Sequence, residues 1–216
     1  MTASSQTSPG GLRFPARAAG LFYLLTIVAG VYGQMFARAS DDALLLRTAI
    51  LADMVMLSAY IVVTALLYMI LREARPHLSA VAAGFSLIGI AVLAAGEIPL
   101  LLPTDLIASI APADFAALAL RFHGARFWVS LIFFGVYCML IGWLYWRSRR
   151  VPLPVGALMM LGGAVHLVNH GGGIVFPEFS DAIPRPVAFL PLLGELVFGL
   201  WLTVFAVRLP EADDPA

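Results

Sequence analysis

Six apolar segments constrain this chain more than any other feature. They run Arg17–Phe36, Leu46–Leu71, Leu78–Leu102, Phe127–Trp146, Pro154–Val175 and Val187–Val207. Each is near the roughly 20 residues needed to cross about 30 Å of hydrocarbon. The runs are continuous, without the strict alternation of barrel strands. A helix satisfies its own backbone in lipid. The expectation is an all-α polytopic membrane bundle of six transmembrane helices. Composition agrees: 61% of the 216 residues are hydrophobic and 12% charged, against about 25% charged in soluble domains, and mean hydropathy is +0.93. Residues 1–15 are polar and predict a disordered cytoplasmic tail, 16–208 the six-helix domain, and 209–216 a short second tail.

The loops are short except between the third and fourth spans. There Pro112 and Asp114 suit a helix start. Ala113–Phe122 therefore predicts a short interfacial helix before the fourth span, or a bent forward extension of that span near Gly124. Arg13, Arg17 and the Ala37-Arg38-Ala39 tripeptide imitate a secretory signal, but five further spans favour a retained first helix. With the N-terminus inside, the inner side collects Arg13, Arg17, Arg72, Arg75, Arg147, Arg149, Arg150 and Arg208. The outer side holds Arg38, Arg47, Arg121, Arg126 and Arg185. This bias places both termini in the cytoplasm, and the expected location is a bacterial inner membrane. Net charge is zero and no long basic run exists, so nucleic-acid binding lacks its electrostatic footprint. The single cysteine, Cys138, lies in an apolar run and reads as a small core residue.

Charges persist in hydrocarbon mainly where they face a bundle interior or a wet cavity. Asp53, Glu97, His123, Arg126, His166, His170 and Glu195 lie on different segments, yet folding the segments back and forth places all seven in the outer half of the bilayer. Asp53, Glu97, His123, Arg126, Asn169 and Glu195 then predict a polar pocket open outward, fit for a lipid headgroup, an ion or a small molecule. Arg126 shares a helix face with His123 and can pair with Glu195 or Glu97. Asp53 must find a base across the bundle or sit protonated. His166 and His170, spaced i, i+4, leave one helix face. With His123 they form a candidate site for zinc, iron or haem. Against that, Gly171-Gly172-Gly173 predicts a helix end, which would make His170 a satisfied terminal residue.

Several short blocks resemble one family when taken in order: Arg17-Ala-Ala-Gly20-Leu-Phe-Tyr23-Leu24, Ala52-Asp53-Met-Val-Met-Leu57, and His123-Gly124 followed by Phe127, Phe133-Phe134-Gly135, Cys138 and Gly142. Arg147-Ser148, Pro152 to Gly156, and Leu190-Pro191-Leu-Leu-Gly194-Glu195-Leu196 with Trp201-Leu202 complete the set. From about Arg17 to Val207 the chain resembles the multi-span bacterial membrane proteins grouped as domain of unknown function 4386. The resemblance implies six helices in an inner membrane and Asp53, His123 and Glu195 as family-type polar residues. It brings no activity, and it does not include Glu97, His166, Asn169 or His170.

The sequence thus points to a non-enzymatic binding, sensing or accessory membrane protein centred on Asp53, His123, Arg126 and Glu195. The main rival is a metalloenzyme or haem/redox protein using His166, His170 and His123. A small solute transporter is disfavoured, because no internal repeat is evident and only Gly96-Glu97-Ile98-Pro99 looks like a helix break.

Overall fold

The computed structural model describes residues 12–39, 42–101, 114–176 and 178–207. Among these, no strand occurs and six helices are long and apolar enough to cross a membrane. We label them α1 (Arg13–Val31), α2 (Ala43–Leu71), α3 (Pro76–Ala95), α4 (Asp114–Arg147), α5 (Leu153–His166) and α6 (Leu190–Phe205). The protein is a multi-pass membrane protein of all-α fold.

Local chemistry sets the helix starts. Asp42 caps α2, accepting from the backbone N–H groups of Leu44 (2.7 Å) and Leu45 (3.3 Å). Proline opens α3, α5 and α6 within their first two positions, where its missing N–H costs nothing. α1 begins at Arg13, inside the segment expected to be a tail. The rest of that expected tail, and residues 209–216, lie outside the described residues. The expected interfacial segment from Asp114 onward is the start of α4, one unbroken helix of 34 residues; Ala113 lies outside the described residues.

Two helices run on through π-type turns that the sequence did not announce. α1 continues through Tyr32–Phe36, and α5 through Leu167–Gly171 to a last turn at Gly172–Val175. The triple glycine therefore does not end the fifth helix, as had been expected. A Cβ on Gly173 would collide with Trp128 and Ser180, so glycine serves close packing there.

Each helix packs against its chain neighbours, and α6 closes on α1. The result is a ring of six antiparallel helices whose axis is filled by side chains. Edge-to-face contacts link Tyr23 to Tyr60, Tyr23 to Phe198 and Tyr145 to Phe198, geometries that aromatic quadrupoles favour. α4 and α5 approach closely where Gly142 meets Gly156 and where Gly135 meets Gly163; a Cβ on any of the four would lie under 3 Å from the facing glycine's carbonyl oxygen. Small residues at such seams let membrane helices touch backbone to backbone. Hydroxyls add interhelical links: Thr64 with Ser86 at 2.7 Å, and Ser130 donating to the Gly89 carbonyl at 2.9 Å.

Candidate functional site

The polar residues fall into two groups at different depths. The first is an ion cluster at the bundle end opposite the start of α1 and the end of α6, built from α1 to α4. Arg38, just past the π turn of α1, donates to Asp53 at 2.8 Å and reaches Glu97 at 3.3 Å. Arg126 donates to Asp53 Oδ2 at 3.2 Å, pairs with Glu97, and gives a further 2.7 Å bond to the Leu93 carbonyl. Its Nη2 also lies 3.0 Å from His123 Nε2, while His123 Nδ1 stands 3.7 Å from Glu97. Gln34 adds two longer bonds, at 3.4 Å, to Asp53. Asp53 and Glu97 are 0% and 1% exposed, and Arg126 4%. Two guanidiniums thus face two carboxylates, and the cluster is neutral with His123 uncharged.

Backbone features aim these groups. The π turn inserts a residue, which rotates everything after it by about 100°, and Gln34 and Arg38 follow or occupy that turn. α3 stops at Ala95, so Glu97 leaves the helix axis and turns inward. Gly96 makes the space for Arg126: a Cβ there would overlap the arginine's Cδ. Arg126 then lies over the Phe127 ring, 4.8 Å from its centroid.

The second group surrounds Glu195. It accepts from Tyr60 at 3.2 Å and lies 3.6 Å from the Cys138 thiol. Tyr60 is seven residues beyond Asp53 on α2, and Cys138 twelve beyond Arg126 on α4, so Glu195 sits about 10 Å or more deeper than the cluster. Of the two expected partners of Arg126, Glu97 pairs with it and Glu195 does not. Glu97 leaves the neighbouring helix α3 beside Arg126, whereas α6 packs on α1 and α5. Among the described residues, no arginine or histidine comes within ion-pair distance of Glu195. The hydroxyls of Tyr23 and Tyr137, on the same buried axis, make no hydrogen bond of good geometry among the described residues.

A cavity of about 300 Å³ opens beside Glu195, between α2, α3, α4, α5 and α6. Tyr60, Phe127, Phe134 and Phe189 supply aromatic walls, and Leu93 and Leu131 aliphatic ones. His166 also lines it, with Nδ1 buried and unpartnered. Two shallower recesses between α1 and α2 are walled by outward-facing apolar side chains such as Phe22, Leu25 and Val55, and no acid, arginine or histidine lines them. They have the character of lipid grooves.

The candidate metal trio does not assemble. Among the described residues no three His, Cys, Asp or Glu side chains converge as a metal site requires. His166 and His170 do share a face, ring centroids 5.5 Å apart, but His170 Nδ1 lies 3.0 Å from the His166 carbonyl and its ring abuts Trp128. His123 is committed to the ion cluster. Asn169 stands apart from that cluster too; its side-chain oxygen is buried without a partner.

A family model described as a domain of unknown function, DUF4386, matches residues 18–206. The chain belongs to this family. No curated protein and no solved structure matches it. The DUF4386 match spans both the ion cluster and the cavity, but the family's description assigns neither a role.

Sequence reasoning missed Arg38 as a cluster member and assigned it to an outer loop. One signal was present. Arg38 follows Gln34 by four residues, the spacing of one helix face, and Asp53 with Glu97 needed a second base. Tyr60 carried no signal, because a tyrosine in an apolar run reads as core.

Proposed function

We propose that the protein is a bacterial inner-membrane binding protein, sensing or accessory in role, whose cavity takes a small and mostly apolar molecule. One observation carries this reading: an aromatic-walled space of about 300 Å³ holds polar groups that the fold leaves unused, Glu195 without a base and His166 with a bare Nδ1. Small-molecule sites have this make-up, apolar walls with a few polar groups that orient the ligand. The ion cluster plays a different part. Being self-neutral, it offers little to a charged ligand, but it holds the cavity wall. Arg126 bonds the Leu93 carbonyl and covers Phe127, and both residues line the cavity. A ligand that shifts either wall is felt at the cluster, which is the physical content of a sensing role.

The test uses the protein in lipid nanodiscs and neopentylbenzene, a neutral probe small enough for the space. Equilibrium dialysis against empty nanodiscs should show saturable binding, lost when Leu131→Trp fills the cavity in a variant that keeps its helicity and monodispersity. Uptake no greater than that of empty nanodiscs, or binding indifferent to Leu131→Trp, overturns the reading.

A further inference from the structure

We infer that the ligand of this cavity is an organic cation, an ammonium group carried on an aromatic or aliphatic body; the inference rests on the cavity being the binding site. The argument is charge complementarity. Within the described part of the membrane-spanning bundle, Asp53 and Glu97 are matched by Arg38 and Arg126. Glu195 is the carboxylate left over. Its contacts are a phenol and a thiol, Tyr60 and Cys138, which solvate it without neutralising it. A carboxyl group held in a low-dielectric interior takes up a proton or finds a counter-charge, the described side chains around Glu195 supply no counter-charge, and a bound cation would.

The walls fit the same partner. Tyr60, Phe134 and Phe189 line the space into which Glu195 opens, while Phe127, which lines it too, already carries the Arg126 guanidinium. Aromatic faces attract a cation through their quadrupole, more strongly once it is desolvated, and such cages are the usual recognition device for ammonium groups. An anionic ligand would face Glu195 directly and be repelled. A neutral ligand would leave the carboxylate as it stands. A cation satisfies the carboxylate and uses the rings, while its apolar body fills the aliphatic side formed by Leu93 and Leu131.

The experiment compares benzyltrimethylammonium with neopentylbenzene, its neutral carbon isostere, on nanodisc-embedded full-length protein. The permanent charge removes any question of ligand protonation. We expect the cation to bind at least tenfold more tightly than the neutral compound. Glu195→Gln should abolish that preference while neutral binding persists. Phe189→Leu, at the exposed rim of the cavity, gives a second variant: it should weaken the cation by several-fold and the neutral compound little. Equal affinities, or a preference that survives Glu195→Gln, overturn the cation inference while the cavity stands. If Glu195→Gln does not fold, an unchanged preference in Phe189→Leu overturns it instead. Binding of neither compound overturns the cavity reading as well.

Discussion

Replacing Arg126 with leucine removes one of two cations from a buried cluster that is neutral as it stands. The guanidinium loses its bonds to Asp53 at 3.2 Å and to Glu97, and the Leu93 carbonyl loses a 2.7 Å donor. Arg38 alone then faces two carboxylates, and one negative charge is stranded at a site less than 2% exposed. Breaking a buried pair in this way costs about 3–5 kcal/mol. The Leu93 carbonyl adds little, because it still accepts from the Gly96 N–H at 3.2 Å. Changing Glu97 to leucine as well removes the stranded charge and leaves the Arg38–Asp53 pair intact. Glu97→Leu alone strands a guanidinium instead, so it is costly too; the double variant should recover most of either loss, with a coupling energy of at least about 3 kcal/mol. Reversible denaturant unfolding in mixed micelles of the wild type, both single variants and the double measures this cycle. Glu195→Gln is the internal control. It strands no cation and should cost about 1 kcal/mol or less, additive with Arg126→Leu within about 0.5 kcal/mol. A coupling below about 0.5 kcal/mol between Arg126 and Glu97, or a larger one between Arg126 and Glu195, would refute the division into two groups.

Two further outcomes follow from the same geometry. Gly96→Ala puts a methyl where Arg126 Cδ lies, so it should cost about as much as Arg126→Leu, roughly 3–5 kcal/mol; introduced into the Arg126→Leu background it should cost under about 1 kcal/mol, and equal costs in both backgrounds would show that the glycine is needed for another reason. With Arg38 and Arg126 buried in the cluster, the other arginines at the bundle end away from the start of α1 reduce to Arg47, Arg121 and Arg185, which sharpens the bias for cytoplasmic termini; a C-terminal fluorescent-protein fusion should therefore glow and a C-terminal alkaline phosphatase fusion stay inactive, and the reverse pattern would invert the orientation.

The fold was legible because its signal is coarse. Six long apolar runs, short loops and proline at helix starts are one-dimensional features, and lipid leaves few other ways to satisfy the backbone. The grouping of the polar residues was less so. Asp53, Glu97, His123 and Arg126 were expected together and do meet. Counting residues from a helix end gives depth to within about one turn, roughly 5 Å, and that was too coarse to separate Glu195 from the cluster. It also carries no information on which helices adjoin, so α6 was wrongly set beside Arg126. The π turns escaped for another reason. Their sequences, Tyr32–Phe36 and Leu167–Gly171, hold no proline, and one inserted residue shifts phase without changing hydropathy. Gly171-Gly172-Gly173 misled because a glycine demanded by close packing and one demanded by a helix end look identical in one dimension.

Charge counting decides which of the two polar groups is structural and which is free to act. Arg38 and Arg126 answer Asp53 and Glu97 one for one, so the cluster ties four helices together as interhelical polar contacts commonly do. Glu195 has two hydrogen-bonding neighbours and an open cavity on its remaining side. A chain selected only for a rigid bundle would gain from an apolar residue there, since burying an unmatched carboxylate is costly. That cost is understandable if another molecule offsets it. The bonds from Arg126 to Leu93 and its stacking on Phe127 then give the neutral cluster a second consequence. It holds the walls of the cavity at a fixed spacing, so substitutions at Arg126 should alter ligand affinity without touching the ligand.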